Sequence, residues 1–191
     1  YGLGAIKNVG SEAISNLIKE REKNGKFKSL MDFIRRVNPK DINKLQLEGL
    51  VKAGAFDSLE KNRKAIFETI PNLIQLNKIY YEEKISKQSN LFDTSDENRI
   101  EKLTLSTNET WSTKEFLNEE FKSLGFYISD HPLNNYKNFF SKLNIQPYRD
   151  FIIGKKNDSL IAGTLMSIQE KKSSKGTPFA IAKFSDNFGE Y

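Results

Sequence analysis

The sequence predicts a mainly α-helical protein that ends in an antiparallel β segment. Apolar residues recur at three- and four-residue spacing through most of residues 11–143, which is the period of an amphipathic helix. After residue 158 the spacing changes to two, the period of a half-buried strand. Two short turns, Asn8-Val9-Gly10 and Ala53-Gly54-Ala55, each join a pair of helices. The repetition predicts two related helix-hairpin-helix units packed into one core.

Four helices are predicted before residue 86, each with one apolar face. Ser11 and Ser29 are expected to cap the first two, which end at Asn24-Gly25 and Asn38-Pro39. Pro71 predicts a kink in the fourth. The four helices are expected over residues 11–23, 30–37, from Asp41 or Asn43 to Val51, and 62–85.

The remaining residues divide into a polar linker, further helices and strands. Residues 86–110 are dominated by Ser, Thr, Asn and Asp and predict an exposed linker. Ser112 or Thr113 is expected to cap a helix that reaches Ile128, and a shorter helix should follow Asp130. Two strands are expected over 159–172 and 177–186, with the turn Ser-Ser-Lys-Gly between them. Since two strands are marginal alone, the β domain is expected to be truncated at Tyr191.

The first turn has features that suit binding to a nucleic-acid backbone. Gly10 carries no Cβ, so a phosphate can approach the amides at the start of the next helix. The N–H groups of Val9, Gly10 and Ser11 are expected to point at one phosphate oxygen, and Lys7 can reach the same or a neighbouring phosphate. Asn8 occupies a position usually held by glycine, and asparagine tolerates the left-handed backbone. The alternative is an ordinary corner between two helices.

The second turn carries a weaker version of the same pattern. Gly54 and the helix start at Asn62 and Arg63 are predicted to bind the next phosphate along, while Phe56 is expected in the core. A purely structural repeat without DNA contact is the alternative.

The polar linker contains a short pattern of the form Gln-x-x-Leu-Phe. In an extended peptide, the Gln88 amide can form paired hydrogen bonds while Leu91 and Phe92 fill an apolar cleft on a partner. The alternative is a hydrophobic tether that folds back onto the core of this chain.

The charge distribution favours a polyanionic partner for the first part of the chain. Residues 1–80 hold 15 Lys and Arg against 9 Asp and Glu, a net +6, whereas residues 81–191 hold 15 against 16, a net −1. A basic patch releases counterions from a phosphate backbone. A solvated Lys-rich surface is the alternative explanation.

The sequence excludes several kinds of functional site. Cysteine is absent, so there is no disulfide, thiolate metal site or Cys nucleophile. His131 is the single histidine and is expected in a turn or cap. No apolar run approaches the roughly 18 residues of a membrane helix. Metal-ligand spacing, paired acids and a Gly-rich nucleotide loop are missing, so no complete active site is visible.

Six sequence blocks occur in order along the chain: YGLGAIKNVG, FKSLMDFIRRV, LVKAGAFDSL, QSNLF, LGFYISDHPL and LIAGTLMSI. Together they resemble the C-terminal part of the bacterial DNA polymerase III alpha subunit family. The resemblance covers essentially the whole chain, and LVKAGAFDSL and LGFYISDHPL are its most specific blocks.

The resemblance implies a role for each part of the chain. Residues 1–85 would be a tandem helix-hairpin-helix domain on the duplex DNA that leaves the polymerase. Residues 86–110 would be an exposed linker whose Gln88, Leu91 and Phe92 dock on the β sliding clamp, although Ser89 and Asn90 depart from the preferred clamp peptide. Residues 111–150 would be connecting helices, and residues 151–191 the start of an OB domain.

The resemblance also implies a place in replication. This stretch would be a non-catalytic part of a DNA-directed DNA polymerase, a nucleotidyltransferase whose Mg²⁺-dependent palm lies upstream, and would itself need no cofactor. Its partners would be duplex DNA, the β sliding clamp and other polymerase III holoenzyme subunits, in the bacterial cytoplasm at the nucleoid and not at a membrane. The start at Tyr1 without a Met agrees with a piece of a longer protein. The rival hypotheses are a protein-interaction scaffold and a DNA-repair accessory.

Overall fold

The computed structural model describes residues 2–86, 103–155 and 157–191. The chain folds as two units, Tyr1–Phe126 and Tyr127–Tyr191. The division falls inside the range expected to hold connecting helices. Each unit is therefore considered by itself.

The first unit is helical. A 3₁₀ turn at Leu3–Ala5 precedes the first hairpin, and the second hairpin lies between the third and fourth helices. Described helices of this unit are α1 (Ser11–Asn24), α2 (Leu30–Arg36), α3 (Lys44–Lys52), α4 (Arg63–Ser86) and α5 (Thr113–Leu124). The mainly α fold class expected from the periodicity is confirmed.

Short polar side chains determine where most of these helices begin. Ser29 Oγ accepts a hydrogen bond from Asp32 N at 3.0 Å, as predicted for the start of α2. Asn43 and Ser112 form complete capping boxes at α3 and α5. The expectation for Ser11 is wrong: Gly10 is the N-cap of α1, and Ser11 is the first residue inside the helix.

Glycine in the left-handed region ends α5 earlier than the apolar pattern predicted. Gly125 has φ +86° and donates its N–H to Phe121 O at 2.7 Å. The helix therefore ends at Leu124 and does not continue to Ile128. Pro71 lies within α4, which continues on both sides of it.

The core of the first unit is formed by apolar residues of the first hairpin and of α1, α2, α3 and α4. Phe33 meets Phe27 and Phe56 edge to face, with ring centroids 5.1 and 5.0 Å apart. Full burial of each such side chain contributes about 1.5–3 kcal/mol. Buried Asn77 donates to Ile34 O at 2.7 Å and Val37 O at 2.8 Å. It therefore satisfies carbonyls at the end of α2 that a helix terminus leaves without partners.

Part of the expected linker packs against the first unit. Ser106 N donates to Thr69 Oγ1 at 2.9 Å, and the Trp111 ring lies 5.8 Å from the Phe67 ring. Leu103 and Leu105 contact the core cluster. Residues 103–110 thus lie along α4 and are not an independent linker, although Thr104, Ser106 and residues 108–110 are exposed as predicted.

The second unit combines short helices with one antiparallel sheet in the order β1-β2-β3. Ile168 pairs with Ala182, and the register shifts once between Leu165 and Ser167. The predicted hairpin turn at Ser173–Gly176 is confirmed. Described elements of this unit are a 3₁₀ helix (Pro132–Tyr136), α6 (Lys137–Lys142), α7 (Tyr148–Ile153), β1 (Thr164–Lys172), β2 (Pro178–Asp186) and β3 (Gly189–Glu190).

Two general features of the described residues bear on function. None of their helices combines the length and the apolar character needed to cross a membrane. Nor do these residues include a group of three or more His, Asp or Glu side chains arranged to hold a metal ion.

His131 ties the 3₁₀ helix to the sheet of the second unit. Its Nδ1 accepts a hydrogen bond from Leu133 N at 3.2 Å, so the histidine caps a turn as the sequence predicted. The proton therefore lies on Nε2, which donates to Ser185 Oγ at 3.0 Å. Burial lowers the pKa of His131, and the nearby Asp186 and Asp130 carboxylates oppose this effect.

Acidification from about pH 7 to about pH 5 is expected to destabilise the second unit, because His131 is protonated more readily when unfolded. With the folded pKa lowered, the stabilisation is complete above the unfolded pKa of 6.5 and is lost as the pH falls below it. Thermal denaturation at several pH values measures this. His131→Asn keeps an acceptor for Leu133 N but does not titrate, and should lose this pH dependence. An unchanged pH dependence in the variant would contradict the assignment.

Candidate nucleic-acid interface

The first hairpin has the backbone conformation that the sequence suggested. Asn8 adopts φ +66°, which confirms the left-handed conformation expected there. Gly10 follows in extended conformation, with φ −70° and ψ +142°, and leads directly into α1. The chain therefore turns sharply just before the helix and presents the helix N-terminus at the hairpin.

The amide groups at the start of α1 are open. Gly10 has no side chain to cap the helix, and Ile14 N is the first α1 amide with a backbone acceptor, Gly10 O at 3.2 Å. Within the described residues, the N–H groups of Gly10, Ser11 and Glu12 have no acceptor. In contrast, α2, α3 and α5 each begin with a side-chain cap. Free amides and the helix dipole make this end of α1 attractive to an anion.

Lys7 and Val9 have different roles in the turn. Lys7 is exposed, while its backbone N–H donates to Ser123 O at 2.9 Å. Val9 is buried in the core, and its N–H donates to Ile6 O at 3.2 Å. Val9 therefore supports the turn, and its amide is not available to a phosphate as the sequence analysis expected.

Two residues of α3 that the sequence pattern did not indicate lie beside the turn. A Cβ on Gly49 would lie 2.9 Å from Lys7 O, so the turn packs directly on the helix backbone. The Gln46 side chain accepts from Asn43 N at 2.8 Å through Oε1, and its Nε2 lies 3.9 Å from the Cβ position of Gly10. Two features of the sequence could have indicated these residues. Gly49 is a lone glycine inside a predicted helix, and Asn43 and Gln46 have the spacing of a capping box.

Arg63 of the second hairpin points inward. Its guanidinium forms a fork with Asp57, at 2.8 Å from Nε and 2.6 Å from Nη2, and also donates to Lys52 O at 2.9 Å. Glu120 lies 3.5 Å from Nη1, and the guanidinium lies over the Phe116 ring at 4.3 Å. Burial lowers the pKa of Arg63, but hydrogen bonds and charge interactions with these carboxylates outweigh it and raise the pKa overall, so the side chain stays charged.

Gly54 and Asn62 serve the same internal arrangement. Gly54 has φ +80°, and a Cβ there would overlap the guanidinium of Arg63. Asn62 caps α4, since its Oδ1 accepts from Ala65 N at 3.1 Å, and its Nδ2 donates to Glu109 O at 3.0 Å. The structure thus assigns internal contacts to all three residues expected to bind a second phosphate.

The clamp-binding residues of the sequence analysis, Gln88, Leu91 and Phe92, lie outside the described residues. The described chain reaches α4 on one side of them and the segment from Leu103 on the other.

Comparison with known proteins relates this interface to a protein family. A family described as "Helix-hairpin-helix motif" matches residues 1–66, which include both turns. A relative from Borreliella burgdorferi, called DNA polymerase III subunit alpha, is 40% identical over 95% of this chain. Relatives of the same name from Caulobacter vibrioides and Rickettsia prowazekii are 32% and 38% identical over 100% and 92% of it. The chain spans only 16%, 17% and 14% of the lengths of these three relatives.

Gly49→Ala is expected to destabilise the first unit by about 1–3 kcal/mol, because the new Cβ would overlap the Lys7 carbonyl. The direction is opposite to helix propensity, which favours Ala by about 1 kcal/mol. Urea denaturation measures the change. Gly10→Ala is the control, since its Cβ would meet only Gln46 Nε2 at 3.9 Å and its φ is ordinary. Equal or greater stability of Gly49→Ala would contradict this account of the packing.

Proposed function

We propose that this chain, which is similar to one segment of DNA polymerase III alpha subunits and matches a helix-hairpin-helix family over residues 1–66, holds duplex DNA by its backbone as part of a replicative polymerase. The observation that carries the proposal is the open N-terminus of α1 behind the first hairpin. The net charge of +6 over residues 1–80 supports a polyanionic partner.

In this proposal one phosphate binds at the start of α1. The N–H groups of Gly10 and Ser11 donate to its oxygens, and the absent Cβ of Gly10 lets the phosphate approach. Lys7 binds the same or a neighbouring phosphate, and Asn8 supplies the left-handed turn. Because phosphates carry no base identity, the grip is independent of sequence.

We assign the second hairpin a supporting role in the same proposal. Gly54, Asn62 and Arg63 are occupied by internal hydrogen bonds and close packing, whereas the N–H groups of Gly10 and Ser11 are open. The proposed DNA contacts are therefore centred on residues 7–11.

We further propose that Gln88, Leu91 and Phe92 tether the polymerase to its β sliding clamp. The Gln-x-x-Leu-Phe pattern and the similarity of the chain to DNA polymerase III alpha subunits support this role. A tether converts repeated association with DNA into an intramolecular event, which increases processivity. In this proposal nucleotidyl transfer belongs to another part of the polymerase, since the chain spans about one-sixth of its relatives.

Lys7→Gln is expected to weaken binding to a random-sequence duplex and to reduce the slope of log K against log salt by about 1, because one phosphate contact is lost. Fluorescence anisotropy between about 50 and 200 mM salt measures both quantities. Lys175→Gln makes the same charge change in the exposed β1–β2 turn and should alter the affinity little. If the affinity of the parent chain does not depend on salt, the DNA proposal fails and the interaction scaffold is favoured.

The double variant Leu91→Ala, Phe92→Ala is expected to bind purified β sliding clamp at least about tenfold more weakly, because two apolar anchors are removed. Surface plasmon resonance with immobilised clamp measures the loss. Thr94→Ala, Ser95→Ala is the control in the same segment. Both double variants should retain the duplex affinity of the parent. Unchanged clamp binding by the first variant would refute the tether.

A further inference from the structure

Helix α5 contacts the turns of both hairpins. At the first hairpin, Lys7 N donates to Ser123 O at 2.9 Å. At the second, Arg63 Nη1 lies 3.5 Å from Glu120 Oε1, three residues earlier in α5. One turn of α5 therefore connects Arg63 of the second hairpin to the backbone of Lys7.

The contact with the second hairpin is buried and charged. The Glu120 side chain is 1% exposed and that of Arg63 is 7% exposed. Phe116, one helical turn before Glu120, lies under the guanidinium. Lys52, at the end of α3, adds a second ion pair to α5 through Glu119 at 2.9 Å. The orientation of α5 thus depends on paired charges, which are costly to leave unpaired when buried.

The contact with the first hairpin involves the end of α5. Ser123 O belongs to the last turn of α5. The carbonyls of a last helical turn receive no hydrogen bond from within the helix and carry partial negative charge. The position of a Cβ on Gly125 would be 4.0 Å from Lys7 Nζ, so the end of α5 also lies beside the Lys7 amine. A shift of α5 would therefore move both the backbone and the charged group of Lys7.

We propose that Glu120 is a positioning residue for DNA binding, which orients Lys7 through α5 without touching DNA. The inference rests on the proposed binding of duplex DNA at the first hairpin. It assigns the second hairpin a function as well, because Arg63 of that hairpin pairs with Glu120.

The test measures whether duplex affinity rises or falls when a negative charge is removed. Glu120→Gln removes a negative charge from the chain, and simple electrostatics predicts tighter binding to duplex DNA. Loss of positioning predicts the opposite, and we expect binding about three- to tenfold weaker with a reduced salt slope. Glu170→Gln, an exposed residue of β1 with the same charge change, is the matched control and should not weaken binding.

A double-mutant cycle separates positioning from general destabilisation. If Glu120 acts through Lys7, the effects of Glu120→Gln and Lys7→Gln on duplex affinity will not add. Far-UV circular dichroism and thermal denaturation verify that each variant is folded. If Glu120→Gln does not fold, Phe116→Leu loosens the same contact without a charge change and is subjected to the same cycle.

The outcomes distinguish the inference from the function on which it rests. Weaker, non-additive binding by the folded variant supports it. Parent-like or tighter binding, or strictly additive effects with Lys7→Gln, overturns it while the DNA proposal stands. Failure of the parent chain to bind duplex DNA in a salt-dependent way overturns both.

Discussion

The inward-facing guanidinium of Arg63 is the interaction on which the arrangement of the first unit depends. It joins the second turn through Asp57, the end of α3 through the Lys52 carbonyl, and α5 through Glu120. A planar group with five donors can satisfy such divergent acceptors at once, which lysine cannot. Breaking a buried ion pair by removing one partner generally costs about 3–5 kcal/mol. Arg63, which the sequence predicted to bind a second phosphate, thus connects the second turn, α3 and α5.

Each hairpin leads into a helix, but the two helices differ in whether their first N–H groups have a side-chain acceptor. Asn62 caps α4 with its own side chain, so the amides there are partly satisfied. Gly10, the N-cap of α1, has no side chain that could accept from the amides behind it, and these amides have no acceptor among the described residues. Glycine at the N-cap, in place of Ser, Thr, Asn or Asp, costs a helix about a few tenths of a kcal/mol. That loss is consistent with a binding role, because the same amides can be satisfied by an anion.

The packing that supports the open turn comes from residues distant in sequence. Gly49 lets α3 approach the Lys7 carbonyl, and Ser123 provides an acceptor for the Lys7 amide. The turn is therefore held from two sides while its solvent-facing amides stay accessible. Such pre-organisation reduces the entropy that binding would otherwise cost.

The sequence by itself determined most of the helices and the two long strands, because helical periodicity, capping and turn chemistry act between residues a few positions apart. The caps at Ser29, Asn43 and Ser112 and the left-handed Asn8 are of this kind. Only the tertiary structure decided which polar groups face inward. Arg63 and Glu120 are 57 residues apart, and no local pattern shows that they meet. Val9 was assigned to the phosphate site for the same reason, since the core that buries it is built from distant helices.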